Sequence, residues 1–214
     1  MGGIPEVYRA ARVVDVAGRH GPDDVPAGVG QDGDVAAAAS ETTRWGLAHL
    51  VVGLGFALSA VAFVAVGNHL REAGEHRWSV IAVPFAVIGS AIAVFLPAME
   101  IAMVAVVNAG ADVEAVLGEM TSWFVPLLLT SAVTFAIGAM AFAAAVVRAD
   151  ILSPRMTRVV VIALLVMATT RFIPLGATLY IGAVAGLLAL WPLAHSMWTP
   201  TAEPAKAPRA VPAT

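Results

Sequence analysis

The sequence predicts an all-α fold, an integral membrane helical bundle of about five transmembrane helices. Three observations carry this. The 214 residues are 59% hydrophobic and only 13% charged, a balance foreign to soluble globular domains. Mean hydropathy is +0.85. Uncharged apolar runs recur between short charged segments, and at about 1.5 Å of rise per residue most are long enough to cross a hydrocarbon core about 30 Å thick. Three units follow: a tail over 1–44, a transmembrane bundle over 45–198 and a second tail over 199–214.

Residues 1–44 are rich in Gly, Asp, Pro and Val and show no sustained period, so a disordered tail is expected. Val7, Ala10, Ala11 and Val14 have the spacing of a short amphipathic helix, a candidate membrane-surface anchor. The first span is the uncharged run 45–67, with Gly53, Gly55 and Ser59 as small packing positions. A polar loop, NHLREAGEHR, fills 68–77.

The second span, within 79–110, is the most informative. Ala82, Ala86, Gly89, Ala93, Pro97 and Glu100 recur every three or four residues and so share one helix face. Small residues let neighbouring backbones approach closely, whereas lipid is met as well by Leu or Ile, so this face is expected to point into the bundle. Glu100 closes the stripe. It is either an intramembrane functional acid or an interfacial residue reaching water, because an untilted helix places it more than a core thickness from Trp78. The segment 111–120 carries Asp112, Glu114 and Glu119 without a cation, and is expected to be an acidic loop.

The third span covers 121–147, with Thr130, Thr134, Gly138 and Ala141 on one face, and ends in a basic loop, RADILSPRMTR, at 148–158. Only residues 159–170 then separate Arg158 from Arg171, about 18 Å of helix. Arg171 must therefore lie within the membrane or at its boundary. Pro174 and Gly176 are the expected turn into a fifth span over about 177–195. The last residues, TPTAEPAKAPRAVPAT, are expected to be disordered.

Cations gather in the loops after spans one and three and in the last tail, all on one side of a five-span plan. The positive-inside rule then places the N-terminus outside and the C-terminus in the cytoplasm. Trp45 and Trp123 fall at expected outer ends and Trp78 and Trp198 at inner ends, as an aromatic belt requires. The excess of Ala, Val and Gly, with Lys206 the only lysine, points to a GC-rich bacterial genome and so to a bacterial plasma membrane. The cationic first tail strains this topology. Either a first helix of an ancestral six-span plan is missing, or translation starts downstream, near Val35.

Glu100, Arg171, Asn108, Thr170, Thr178 and Tyr180 all belong to the outer half and form the candidate intramembrane polar site. Glu100 and Arg171 are the expected ion pair, since each is otherwise hard to solvate. The competing reading is structural, with Ser and Thr hydroxyls bonded to their own helix carbonyls. Gly182 and Gly186 form a GxxxG, expected to pack span five inside this bundle rather than to drive a dimer. His49, His69 and His195 give no metal-site spacing, so no metal and no cofactor are expected. The absence of cysteine excludes disulfides and thiolate metal sites. A net charge of -3 without a basic stripe gives no reason to expect nucleic acid. No GxSxG, HExxH, phosphate loop or paired carboxylates occur in a span, which disfavours an enzyme.

The passage 138–155, GAMAFAAAVVRADILSPR, with the arrangement of spans over about 45–198, resembles a family of uncharacterised bacterial multi-span membrane proteins. In these a helix ends in a basic residue, an Ile or Leu and Pro turn follows, and two helices close the fold. The resemblance implies no catalytic residues. The function expected is that of a non-enzymatic accessory or interaction component in contact with the lipid bilayer, with a membrane-protein partner or a homo-oligomer possible. The alternative is a small transporter or permease-like protein using an outward-facing polar site around Glu100 and Arg171.

Overall fold

A computed structural model describes residues 41–173 and 176–198. Residues 1–40 of the first tail, with the expected amphipathic helix, the last tail and Pro174 lie outside the described residues, while 42–44, expected as tail, belong to the first helix. Among the described residues five helices follow one another: α1 (Thr42–Glu72), α2 (Arg77–Asn108), α3 (Val113–Ala149), α4 (Pro154–Thr170) and α5 (Gly176–Trp198). No strand occurs among the described residues. The chain is an all-α bundle of multi-pass membrane type. Four helices, α1, α2, α3 and α5, are long and apolar enough to cross a bilayer. The exception is α4, whose 17 residues span only about 25 Å.

Two helix starts lie earlier than the charge pattern predicts, for the same reason. Asp112 accepts a hydrogen bond from the Ala115 amide at 3.1 Å, capping α3, so most of the expected acidic loop is helix. Acidic residues suit that position because the first turn leaves amide donors unpaired. Ser153 caps α4 by accepting from the Met156 amide, and Pro154 at the first helical position has no amide to satisfy. Gly74 and Gly110 adopt φ of +94° and +63° just beyond α1 and α2, a conformation that ends helices at little steric cost to glycine.

The helices meander, each packing antiparallel on the next, and the closest pairs are α1 with α2 and α2 with α3. For description, the upper end is where α1 starts and the lower end is where it finishes. The small stripe of α2 is what brings α3 in. Ala82, Ala86, Gly89, Ala93 and Pro97 are all buried. A Cβ added at Gly89 would come within 2.6 Å of the Phe135 backbone, and one added at Gly138 would collide with the backbone of Ala86. Two backbones thus touch at both crossing points, and Ser131 seals the contact by donating to the Gly89 carbonyl at 2.9 Å.

The core fills the lower half, where all five helices meet. Phe63 of α1 packs against Phe135 and Phe142 of α3, with ring centres 5.5 and 5.0 Å apart. Leu70, Val146, Val160, Leu164 and Leu193 complete it. His69 of α1 and Ser196 of α5 hydrogen-bond at 3.1 Å near the lower end. Toward the lipid, large apolar side chains such as Leu50, Val51, Leu187 and Trp191 stay exposed, as a bilayer solvent permits.

Candidate polar site

Three contacts fix the register of α1 against α2. Gly67 faces Val83, Gly53 faces Pro97, and His49 meets Glu100 through Nε2 and Oε2 at 2.8 Å. The antiparallel pairing that sets the first two contacts also brings the third within reach. Glu100 therefore pairs with His49, not with Arg171. Trp45 joins the same cluster: its indole Nε1 donates to the Glu100 carbonyl at 2.9 Å, and its ring lies 4.3 Å from the imidazole. The side chains of His49 and Glu100 remain 20% and 32% exposed, so the pair is sheltered but not sealed.

His49 Nδ1 lies 2.9 Å from the Trp45 carbonyl and Nε2 lies 2.8 Å from a Glu100 carboxyl oxygen. A neutral imidazole has one N–H, so the tautomer decides which of the two contacts is the hydrogen bond.

Arg171 follows directly on α4 and occupies a different level. Its guanidinium carbon lies 3.5 Å from the centre of the Phe135 ring and 5.0 Å from that of Phe56. Phe56 is two turns below His49 on α1. Both terminal nitrogens are buried and have no hydrogen-bond partner among the described residues. The aromatic faces offer cation–π attraction, while a buried charge ordinarily needs a counter-charge. That is the main electrostatic anomaly of the bundle.

The remaining candidate residues scatter. Asn108 and Tyr180 are exposed. Thr170 donates to the Met167 carbonyl at 3.0 Å and Thr178 to the Ile173 carbonyl at 2.6 Å, local bonds that satisfy the helix ends. Gly182 and Gly186 face α4: a Cβ at Gly182 would meet the Thr170 hydroxyl at 2.9 Å, and one at Gly186 would meet Met167 at 3.6 Å. The GxxxG thus serves the α4–α5 contact within one chain.

His49 is the site residue that sequence reasoning passed over. The signal for it was position: a histidine near the start of one span and an acid near the end of the next stand at similar depth once the helices are antiparallel. No group of three or more metal-ligating side chains occurs among the described residues. Shallow grooves lie between α4 and α5, lined by Val159, Ile162 and Val184, and between α2 and α3, lined by Met99, Glu119 and Trp123.

No protein-family model, curated protein or solved structure matches this chain.

Proposed function

We propose that the protein is a non-enzymatic accessory or interaction component of a bacterial plasma membrane, with its upper end outside and its C-terminus in the cytoplasm. The observation that carries this reading is Arg171. Its terminal nitrogens are buried against Phe135 without a hydrogen-bond partner among the described residues, at the level of Phe56, inside the apolar stretch of α1. A charge at membrane depth is costly and is ordinarily paired. The acids nearest in sequence pattern do not serve it, since Glu100 is engaged by His49. An acidic side chain of a neighbouring membrane protein, or of a second copy, is the counter-charge that suits this depth.

The test compares wild type with Arg171→Gln, each extracted together with surrounding lipid and sized by native electrophoresis and mass. Wild type is expected in an assembly larger than a monomer, and Arg171→Gln as a folded monomer. A monomeric wild type, or an assembly indifferent to the substitution, would refute the reading.

A second reading, a small transporter or permease-like protein, is favoured by the partial exposure of Glu100 in the upper half. It requires Glu100→Gln to leave the bundle folded while altering uptake or efflux of a solute and its pH dependence. Stability loss alone, with no change in any flux, argues for the structural role.

A further inference from the structure

We propose that the groove between α4 and α5 holds one anionic phospholipid of the leaflet at the lower end, its acyl chain along the groove and its phosphate against Arg155 and Arg158. The inference stands apart from the accessory reading, since it draws on neither Arg171 nor a protein partner.

The groove follows from how α4 meets α5. Gly182 and Gly186 let α5 approach Thr170 and Met167, and beside that seam the lining residues are Ala163 and Ala185, both buried. These small side chains make the floor. Val159 and Ile162 of α4 and Ile181, Val184 and Leu188 of α5 make the walls, and Tyr180 marks the upper end. The pairing of Thr170 with Gly182 and of Met167 with Gly186 sets Tyr180 level with Phe172, so the groove rises about 20 Å from Val159. One leaflet of hydrocarbon is about 15 Å deep. An acyl chain therefore fits the groove lengthwise, and its atoms supply the dispersion contacts that an empty groove forfeits.

The lower mouth carries the charge. Arg155 lies one turn below Val159 and Arg158 one turn below Ile162, each on the same side of α4 as the residue above it. Both are exposed, and neither side chain makes an ion pair or ring contact among the described residues. The acid nearest in the chain, Asp150, ends α3 and pairs with neither.

The other arginines of the lower end are accommodated within the bundle. Arg71 donates to the Ser79 carbonyl at 3.4 Å, and Arg77 lies 5.7 Å from the centre of the Trp78 ring. Arg148 sits in the last turn of α3, where free carbonyls suit a cation. Arg155 and Arg158 are in the opposite situation. They stand at the start of α4, whose first turn has no acid and whose amide end is itself positive. Three sources of positive charge thus meet at the mouth of an apolar groove. A phosphate there is attracted by all three, and guanidinium forks match its oxygens, while the chains stay in hydrocarbon. A zwitterionic lipid offers the same phosphate but brings its own cation to the two arginines. The groove between α2 and α3 makes the contrast, because its lining includes Glu119 and no cation, which repels the same headgroup.

Native mass spectrometry of delipidated protein tests this, with palmitoyl-oleoyl phosphatidylglycerol and palmitoyl-oleoyl phosphatidylcholine as probes. Wild type is expected to retain one phosphatidylglycerol per chain, bound about tenfold or more tighter than phosphatidylcholine, the scale of two arginines meeting an anionic headgroup. The double substitution Arg155→Gln with Arg158→Gln should remove the preference and leave weak binding of both lipids, whereas Arg77→Gln should keep it. Val184→Trp fills the groove from an exposed position and should weaken both lipids. Helical circular dichroism and melting temperature establish that each variant is folded. A wild type without preference, a preference that survives the double substitution or falls equally in Arg77→Gln, or phosphatidylglycerol binding untouched by Val184→Trp would overturn the proposal. So would a dimer that Val184→Trp dissociates, since a second copy would then occupy the groove.

Discussion

The guanidinium carbon of Arg171 lies 3.5 Å from the centre of the Phe135 ring, which itself packs against Phe63 at a steep interplanar angle. One aromatic side chain thus joins the buried core to a charge. Replacing Arg171 by Met keeps a long flexible side chain and removes an unpaired buried charge. The isolated monomer in detergent should become more stable by about 1–4 kcal/mol, taking as guide the range for buried ion pairs replaced by apolar residues. Thermal denaturation of the two proteins checks this, and a loss of stability would mean that the stacking outweighs the burial cost.

The contact of α2 with α3 should be the least tolerant part of the bundle. Gly138→Val and Gly89→Val force side chains into backbone, and overpacking costs about 1–3 kcal/mol or more. Gly186→Ala meets Met167 at ordinary contact distance and should change stability by less than about 0.5 kcal/mol. Equal effects at Gly138 and Gly186 would contradict the backbone-on-backbone crossing.

His49 and Glu100 should be energetically coupled, and Glu100 and Arg171 should not. In double-mutant cycles read by thermal stability, the contacting pair is expected to show an interaction of about 0.5–3 kcal/mol, whereas the separated pair adds within about 0.5 kcal/mol. Strong coupling between Glu100 and Arg171 would place them together after all.

Asp112→Ala removes the cap of α3 and should cost about 0.5–2 kcal/mol locally. The first turns of α3 are poorly buried, so the loss should appear as faster amide exchange over 113–120 with little change in global melting. A fall in melting temperature with unchanged exchange there would mean that this end of α3 is held by packing rather than by its cap.

What the sequence made legible was whatever depends on one helix at a time. Hydropathy located the spans, and the spacing of Ala82, Ala86, Gly89 and Ala93 identified the face of α2 that is buried. Helix starts at Val113 and Pro154 were harder, because charge marks where lipid ends and says little about where a capped helix begins. The polar site depended on register between helices. Read from the sequence, Glu100 and Arg171 belong to the same half of the bundle, yet Glu100 meets His49 while Arg171 lies against Phe56 and Phe135, two turns of α1 lower, an offset set by Gly53 against Pro97 and by the length of α4. No single-helix pattern contains it.

The shortness of α4 bears on how the chain enters the bilayer. Seventeen residues followed by an arginine make a poor segment for independent partitioning, whereas α5 is long and apolar enough to cross. Because α4 packs on α5 through Thr170 against Gly182 and Met167 against Gly186, the two helices are expected to enter together as a hairpin. On that route the contact of Arg171 with Phe135 forms only once the hairpin has docked on α3.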